Sequence, residues 1–175
     1  MIEASIAIQL VVTDRQCTAE TIATHNNMTL VRIERNSYGK DFDRDTYTCE
    51  VRDALIDHEI DLIAMAGFGT ILNKPIYDDF SNRILNTHPS LLPSFPGWHA
   101  VEEALEYGVK VTGCTVHIAT EEVDAGPILA QESIPVLKDD TKETLHERIK
   151  TVERQLYVDT INKIITTNGQ IERDQ

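Results

Sequence analysis

An amide and an imidazole two residues apart are the side chains of this chain best equipped for chemistry. Asn86 and His88 follow the apolar pair Ile84 and Leu85, and prolines stiffen the turn after them. If this run is a strand, alternation turns both polar side chains to one face, where they could bind the same small chemical group. An amide donor beside an imidazole can stabilise a developing oxyanion and move a proton near neutral pH.

A carboxylate is needed to keep that imidazole charged, and Asp124 is the leading candidate. It lies in a loop, residues 122–127, that can fold over the end of the strand. Ligands of open parallel sheets bind beyond the carboxyl ends of the strands. At another such end, residues 67–72 would offer backbone groups and apolar side chains to a flat heterocycle.

The elements that would position these residues alternate between strand and helix. Apolar, β-branched runs predict strands at 6–12, 28–33, 61–66, 83–87, 110–118 and 128–136. Helical spacing predicts helices at 18–25, from 43 onward with a stripe that ends at His58, at 73–80 and at 99–107. A last long helix starts at a capping box of Asp140 and Glu143 and ends at Asn168 and Gly169. This order predicts an α/β fold: a mostly parallel sheet, helices on both faces and an antiparallel C-terminal extension.

Composition bounds the possible functions. The 175 residues, 41% of them hydrophobic, predict a single domain over 1–175. A net charge of −13 argues against nucleic acid or an anionic membrane as a partner. No apolar run is long enough for a membrane span, and no signal peptide is evident. Three cysteines without a CxxC pair predict reduced thiols and a cytoplasmic location. No spacing of His and Asp matches a compact metal site, so no metal is expected.

Several motifs in a fixed order resemble the phosphoribosylglycinamide formyltransferase family of purine biosynthesis. They lie at residues 66–68, 86–93, 95–100, 112–117 and 123–127. The similarity covers roughly residues 6–165, although the core of the proline motif is shared by the wider folate-dependent formyltransferases. The resemblance implies a Rossmann-like formyltransferase sheet.

The resemblance also implies a reaction: transfer of a formyl group from 10-formyltetrahydrofolate to the amine of glycinamide ribonucleotide, without a metal. His88 matches the catalytic histidine, Asn86 its oxyanion partner and Asp124 the carboxylate that keeps the histidine charged. The binding positions implied for folate are Arg44, Gly69, Thr70, Ile71, Leu72 and Asn86, and those for the nucleotide substrate are Arg83, Pro89 and Glu153.

Two departures from the family pattern stand out. Gly69 and Thr70 replace a bulky residue and an arginine, so backbone contacts with folate could persist there but side-chain contacts could not. The family's first strand and its phosphate-binding loop have no counterpart before Ile6. We therefore expect an N-terminally truncated domain, and the intact catalytic positions favour an internal start at Met1 over a degraded or redirected relative.

Three alternative functions remain open. A formyltetrahydrofolate hydrolase would use water in place of the amine. Transfer to initiator methionyl-tRNA is disfavoured by the acidic charge and by the lack of a C-terminal RNA-binding domain. A non-catalytic remnant would bind folate without turnover. The sequence is compatible with a monomer or a homodimer, and it leaves His117 open between lining the pocket and packing.

Overall fold

The computed structural model describes residues 1–37 and 39–167, and the chain divides into two compact units with a boundary in sequence between Ile84 and Leu85. The first unit holds β1 (Leu10–Thr13), α1 (Thr18–His25), β2 (Thr29–Arg32), α2 (Arg44–Asp57), β3 (Ile63–Ala64) and α3 (Lys74–Asp79). The second unit holds β4 (Ile84–His88, from the last residue of the first unit), α4 (Ala100–Tyr107), β5 (Val111–Ile118), β6 (Ile128–Pro135) and α5 (Lys142–Thr166).

A parallel strand pair organises the first unit, as predicted. β1 pairs with β2 in a register that joins Leu10 to Thr29. The prediction that this first strand starts at residue 6 is wrong, because β2 offers a partner over four residues only. Helix α1 is attached to the pair through Glu20, whose carboxylate accepts hydrogen bonds from Thr13 (2.8 Å) and from Arg32 (2.6 Å). This charge-assisted contact pairs a carboxylate that would be costly to bury alone.

Helices α2 and α3 begin near the predicted residues. Asp43 caps α2 by accepting a hydrogen bond from the Thr46 backbone N–H at 3.0 Å. The buried face of α2 includes Tyr47 and Val51. The prediction that its apolar stripe extends to His58 is wrong, because that residue caps the exposed end of the helix.

An antiparallel sheet organises the second unit and confirms the predicted C-terminal extension. β5 pairs with β4 on one side and with β6 on the other, and the β4–β5 register sets Asn86 opposite His117. α5 packs on this sheet over a core of five buried residues: Val101, Cys114, Ile134, Leu145 and Ile149.

The start of α5 differs from the prediction. Its N-cap is Thr141, which forms a reciprocal capping box with Thr144. Asp140, which the sequence predicted as the cap, instead binds Arg148 at 2.6 Å. The Arg148 guanidinium lowers the pKa of the Asp140 carboxyl. The predicted helix end at Asn168 and Gly169 lies outside the described residues.

Of the three cysteines, one is buried and two are half-buried. Cys17, Cys49 and Cys114 are free cysteines. Cys114 is completely buried, and this burial, with the nearby Glu153 carboxylate as a smaller cause, raises the pKa of its thiol to about 11. Within residues 1–37 and 39–167, no helix combines the length and the apolar character needed to cross a bilayer.

Gly113 in β5 gives a test of this sheet. A Cβ at this position would lie 2.1 Å from the backbone oxygen of Glu132 and 2.7 Å from Leu91. We expect Gly113→Ala to lower the free energy of unfolding by about 1–3 kcal/mol, because a strand backbone cannot move aside. Urea denaturation measures the change. Gly39→Ala is the control, since its nearest neighbour is 3.9 Å away, and an equal loss in both variants would contradict this packing.

Candidate active site

His88 ends strand β4 and is held at both ring nitrogens. The side chain is 6% exposed, and its Nδ1 lies 3.2 Å from Asp124 Oδ2. Its Nε2 lies 2.8 Å from the backbone oxygen of Phe95. The Nε2 contact has hydrogen-bond geometry, whereas Nδ1 and the Asp124 carboxylate form a close contact of the ion-pair type. The ring is therefore held between a backbone carbonyl and a carboxylate.

Asp124 is turned inward by a strained turn. Its φ of 56° lies in the left-handed region, which aspartate tolerates better than most residues. The backbone N–H of Gly97 donates to Oδ2 at 2.8 Å, and the side chain is 6% exposed. Two residues later, a Cβ on Gly126 would meet the Ile118 oxygen at 1.8 Å. The loop is thus pressed onto β5, and only glycine fits at that contact.

Asn86 reaches the same cluster through His117. The Asn86 amide nitrogen lies 3.3 Å from His117 Nε2, and His117 Nδ1 lies 3.0 Å from the Ile118 oxygen. Burial lowers the pKa of His117 and outweighs the Ile118 hydrogen bond and the Asp124 carboxylate, 3.7 Å from Nε2, which both raise it. The neutral ring therefore donates from Nδ1 and accepts at Nε2 from one of the two amide protons of Asn86. This contact fixes the amide and leaves its second proton for a ligand.

A buried hydroxyl holds the proline turn that follows His88. Thr115 donates to the Ser90 oxygen at 2.7 Å and accepts from the Leu92 backbone N–H at 3.1 Å. Gln131 donates to the same hydroxyl at 2.9 Å. Sequence reasoning missed Thr115 and Gln131, because their role depends on strand register and neither belongs to a catalytic residue type.

The remaining candidates of the second unit are Pro89 and Glu153. Pro89 is half-buried in the turn, and Glu153 on α5 accepts a hydrogen bond from Thr87 at 2.9 Å. Trp98 follows Gly97 and is 76% exposed. The structure thus gathers His88, Asn86 and Asp124 around His117, as the sequence predicted for the first three.

The other candidates lie in the first unit. Arg44 is the exposed first residue of α2. In the segment predicted to bind folate, Gly69 is half-buried, Ile71 is 37% exposed and Leu72 is buried. Thr70 is also buried.

Two further contacts of the first unit concern these candidates. The Thr70 hydroxyl donates to Asp14 at 3.2 Å and accepts from Arg35 at 3.4 Å. Arg83 is exposed; its guanidinium donates to the Asp79 backbone oxygen and lies 5.0 Å from the centre of the Phe80 ring. Arg83 therefore contacts the end of α3.

The chain is similar to known proteins in sequence. The family model described as formyl transferase matches residues 2–161. A phosphoribosylglycinamide formyltransferase of Mycobacterium tuberculosis (strain CDC 1551 / Oshkosh) is 45% identical over 153 residues, which are 87% of this chain and 70% of that protein. The chain belongs to the formyl transferase family. The human trifunctional purine biosynthetic protein adenosine-3 is also 45% identical, over 67% of this chain and 12% of its own length.

A solved structure supports the fold of this family member. A crystal structure of phosphoribosylglycinamide formyltransferase from Anaplasma phagocytophilum has a TM-score of 0.85 and 33% identity, and the match covers 99% of this chain and 86% of that one. The resemblance found in the sequence motifs and the predicted Rossmann-like α/β fold class are both confirmed. Membership of the formyl transferase family implies a folate-type co-substrate.

The lowered pKa of His117 gives a pH test of the site. We expect the ring to stay neutral, with its proton on Nδ1, at pH values somewhat below 6.5, its ordinary pKa. Between the folded value and 6.5 the unfolded chain binds more protons, so this residue makes stability fall as the pH drops through that window.

Nitrogen-15 NMR of the histidine rings measures the tautomer and the titration. His117→Gln identifies the signal and, in denaturation curves at several pH values, removes this contribution to the pH dependence. A His117 ring that titrates above 6.5 would contradict the described burial and contacts.

Proposed function

We propose that this formyl transferase transfers the formyl group of 10-formyltetrahydrofolate to the amine of glycinamide ribonucleotide, a step of purine biosynthesis. The 45% identity to a phosphoribosylglycinamide formyltransferase supports this substrate pair. The observation that carries the chemistry is the buried cluster in which His88 contacts Asp124 while Asn86 is oriented by His117. A charged imidazole and a fixed amide donor suit an oxyanion.

In this mechanism, the side chains of the cluster stabilise charge at one oxygen. The substrate amine attacks the formyl carbon, and the carbonyl electron pair moves onto oxygen. The second amide proton of Asn86 and the imidazolium of His88 then donate to that alkoxide. As the alkoxide collapses, the bond from the formyl carbon to the folate nitrogen breaks, the amine releases one proton, and the folate nitrogen gains one. Asp124 keeps His88 charged and oriented throughout.

The contact between His88 and Phe95 is compatible with this role. In the described structure Nε2 donates to an uncharged carbonyl oxygen at 2.8 Å. A developing alkoxide is a stronger acceptor than a carbonyl, because its charge strengthens the hydrogen bond. We infer that the ring exchanges Phe95 for the substrate oxygen as charge develops, without losing Asp124.

The binding roles complete the proposal. Folate would contact Arg44 and the backbone of residues 69–72. Because the Thr70 side chain is buried between Asp14 and Arg35, backbone contacts suit this segment better than contacts from that side chain. Arg83, Pro89 and Glu153 would contact the nucleotide. We further propose a single formyltransferase domain that acts in the cytoplasm as a monomer or a homodimer.

Removing the imidazole tests the catalytic proposal. We expect His88→Ala to lower kcat by at least ~10²-fold, equivalent to about 3 kcal/mol, because an oxyanion donor is lost. The assay follows formylated glycinamide ribonucleotide and, in reactions without the amine substrate, release of formate. His25→Ala, on the exposed face of α1, is the control. Unchanged turnover in His88→Ala, or formate release as the main reaction of the unaltered protein, would contradict the proposal.

Neutralising the carboxylate tests the charge on His88. Asn tolerates the left-handed backbone of position 124 and can still accept the Gly97 hydrogen bond, so Asp124→Asn removes the charge with little change in shape. We expect kcat to fall by ~10²-fold, since the imidazole would no longer be held charged. Glu121→Gln, at an exposed acid of the connection between β5 and β6, is the matched control. Equal activity of the two variants would rule out a role for the Asp124 charge.

A further inference from the structure

Thr87 lies between the two proposed catalytic residues of β4 and faces away from them. Strand alternation points Asn86 and His88 to one side of the sheet and Thr87 to the other. On that side its hydroxyl donates to Glu153 Oε1 of α5 at 2.9 Å. This contact links the catalytic strand to a helix residue 66 positions away in the chain.

Helix α5 makes a second contact with the same strand. Tyr157 lies one helical turn after Glu153, and its hydroxyl donates to the Leu85 backbone oxygen at 2.9 Å. Residues four apart share a helix face, just as residues 85 and 87 share a strand face. The Tyr157 contact is buried, whereas Thr87 and Glu153 are half-buried. The outer of the two contacts is therefore the one that a ligand could reach.

The Glu153 carboxylate is only partly used by the protein. Oε1 accepts from Thr87, and in the part of the chain that the structure describes no hydrogen bond to Oε2 is found. An ionised carboxylate has about four acceptor positions on its two oxygens. A hydroxyl donor on one oxygen restricts rotation of the carboxylate and turns the remaining positions in a fixed direction. Neighbouring hydroxyls of a sugar are matching donors for such a group.

We propose that Thr87 is a positioning residue that orients Glu153 toward the ribose hydroxyls of the nucleotide substrate. This inference rests on the proposed function, in which Glu153 contacts that substrate. Thr87 does not touch the reacting atoms; it acts through the carboxylate. The hydroxyl therefore affects recognition of the nucleotide and leaves both folate binding and the chemical step unchanged.

The test is Thr87→Val, which keeps the branched shape and removes the hydroxyl. We expect KM for glycinamide ribonucleotide to rise ~5–10-fold, about the net contribution of one typical hydrogen bond. KM for 10-formyltetrahydrofolate and kcat should stay within about twofold, and Thr87→Ser should restore the KM of the unaltered protein, since it retains the donor. Thr87→Ala is the second hydroxyl-free variant if the valine protein folds poorly.

Thr112 provides the matched control. It is a buried threonine of β5 whose hydroxyl has no hydrogen-bond partner among the described residues, so Thr112→Val makes the same change of side chain without removing a contact. A substrate analogue that lacks the ribose hydroxyls adds a second control. With that analogue, the unaltered protein and Thr87→Val should bind equally, because nothing remains for Glu153 to accept from.

The outcomes separate this proposal from the proposed function. An equal KM for the nucleotide in the unaltered protein and in Thr87→Val, or an equal rise for both substrates, would overturn the role of Thr87. So would an effect of the same size in Thr112→Val. If the unaltered protein forms no formylated nucleotide, the proposed function fails. In that case calorimetric titration of glycinamide ribonucleotide decides the Thr87 proposal, because a tenfold difference in Kd supports it and an equal Kd overturns it.

Discussion

The antiparallel register between β4 and β5 is the constraint on which the rest of the second unit depends. It sets Asn86 opposite His117 and His88 opposite Thr115, so one strand supplies the reactive side chains and the other supplies their supports. A slip of one residue would turn every side chain to the opposite face and separate both pairs. Gly113 and Gly126 allow close contacts near the two ends of β5, because backbone or side-chain atoms occupy the space of a Cβ at each position.

Much of the fold could be predicted from local patterns. The apolar run that becomes β4 and the helix that Gly108 ends in a left-handed conformation are both visible in the sequence. The errors have a common physical origin in partners that are distant along the chain. β1 is short because β2 is short, and the α5 cap moves to Thr141 because Asp140 pairs with Arg148. A local pattern carries no information about such partners.

In the candidate site, too, the sequence predicted what residue type alone reveals and missed what depends on distant partners. Residue chemistry singled out His88, Asn86 and Asp124, because an imidazole, an amide and a carboxylate are recognisable wherever they stand. The sequence left His117 open between lining the pocket and packing, and the hydroxyl of Thr115 has no such signature; the roles of both follow from what they contact. Sequence reasoning therefore found the groups proposed to meet the substrate and missed most of the groups that hold them in place. Threonine and glutamine have too many ordinary uses for their type alone to mark a site.

The exposed indole beside Gly97 gives the protein a built-in optical reporter. Trp98 is the single tryptophan of the chain, so its fluorescence has no competing source of the same kind. Its neighbour Gly97 donates a backbone hydrogen bond to Asp124. The indole of Trp98 is therefore next to a residue that contacts the Asp124 loop. Any movement of this loop as ligands arrive changes the solvent around a ring that is 76% exposed. Stopped-flow emission could therefore time the rearrangement of the loop in the unmodified protein, without an attached dye.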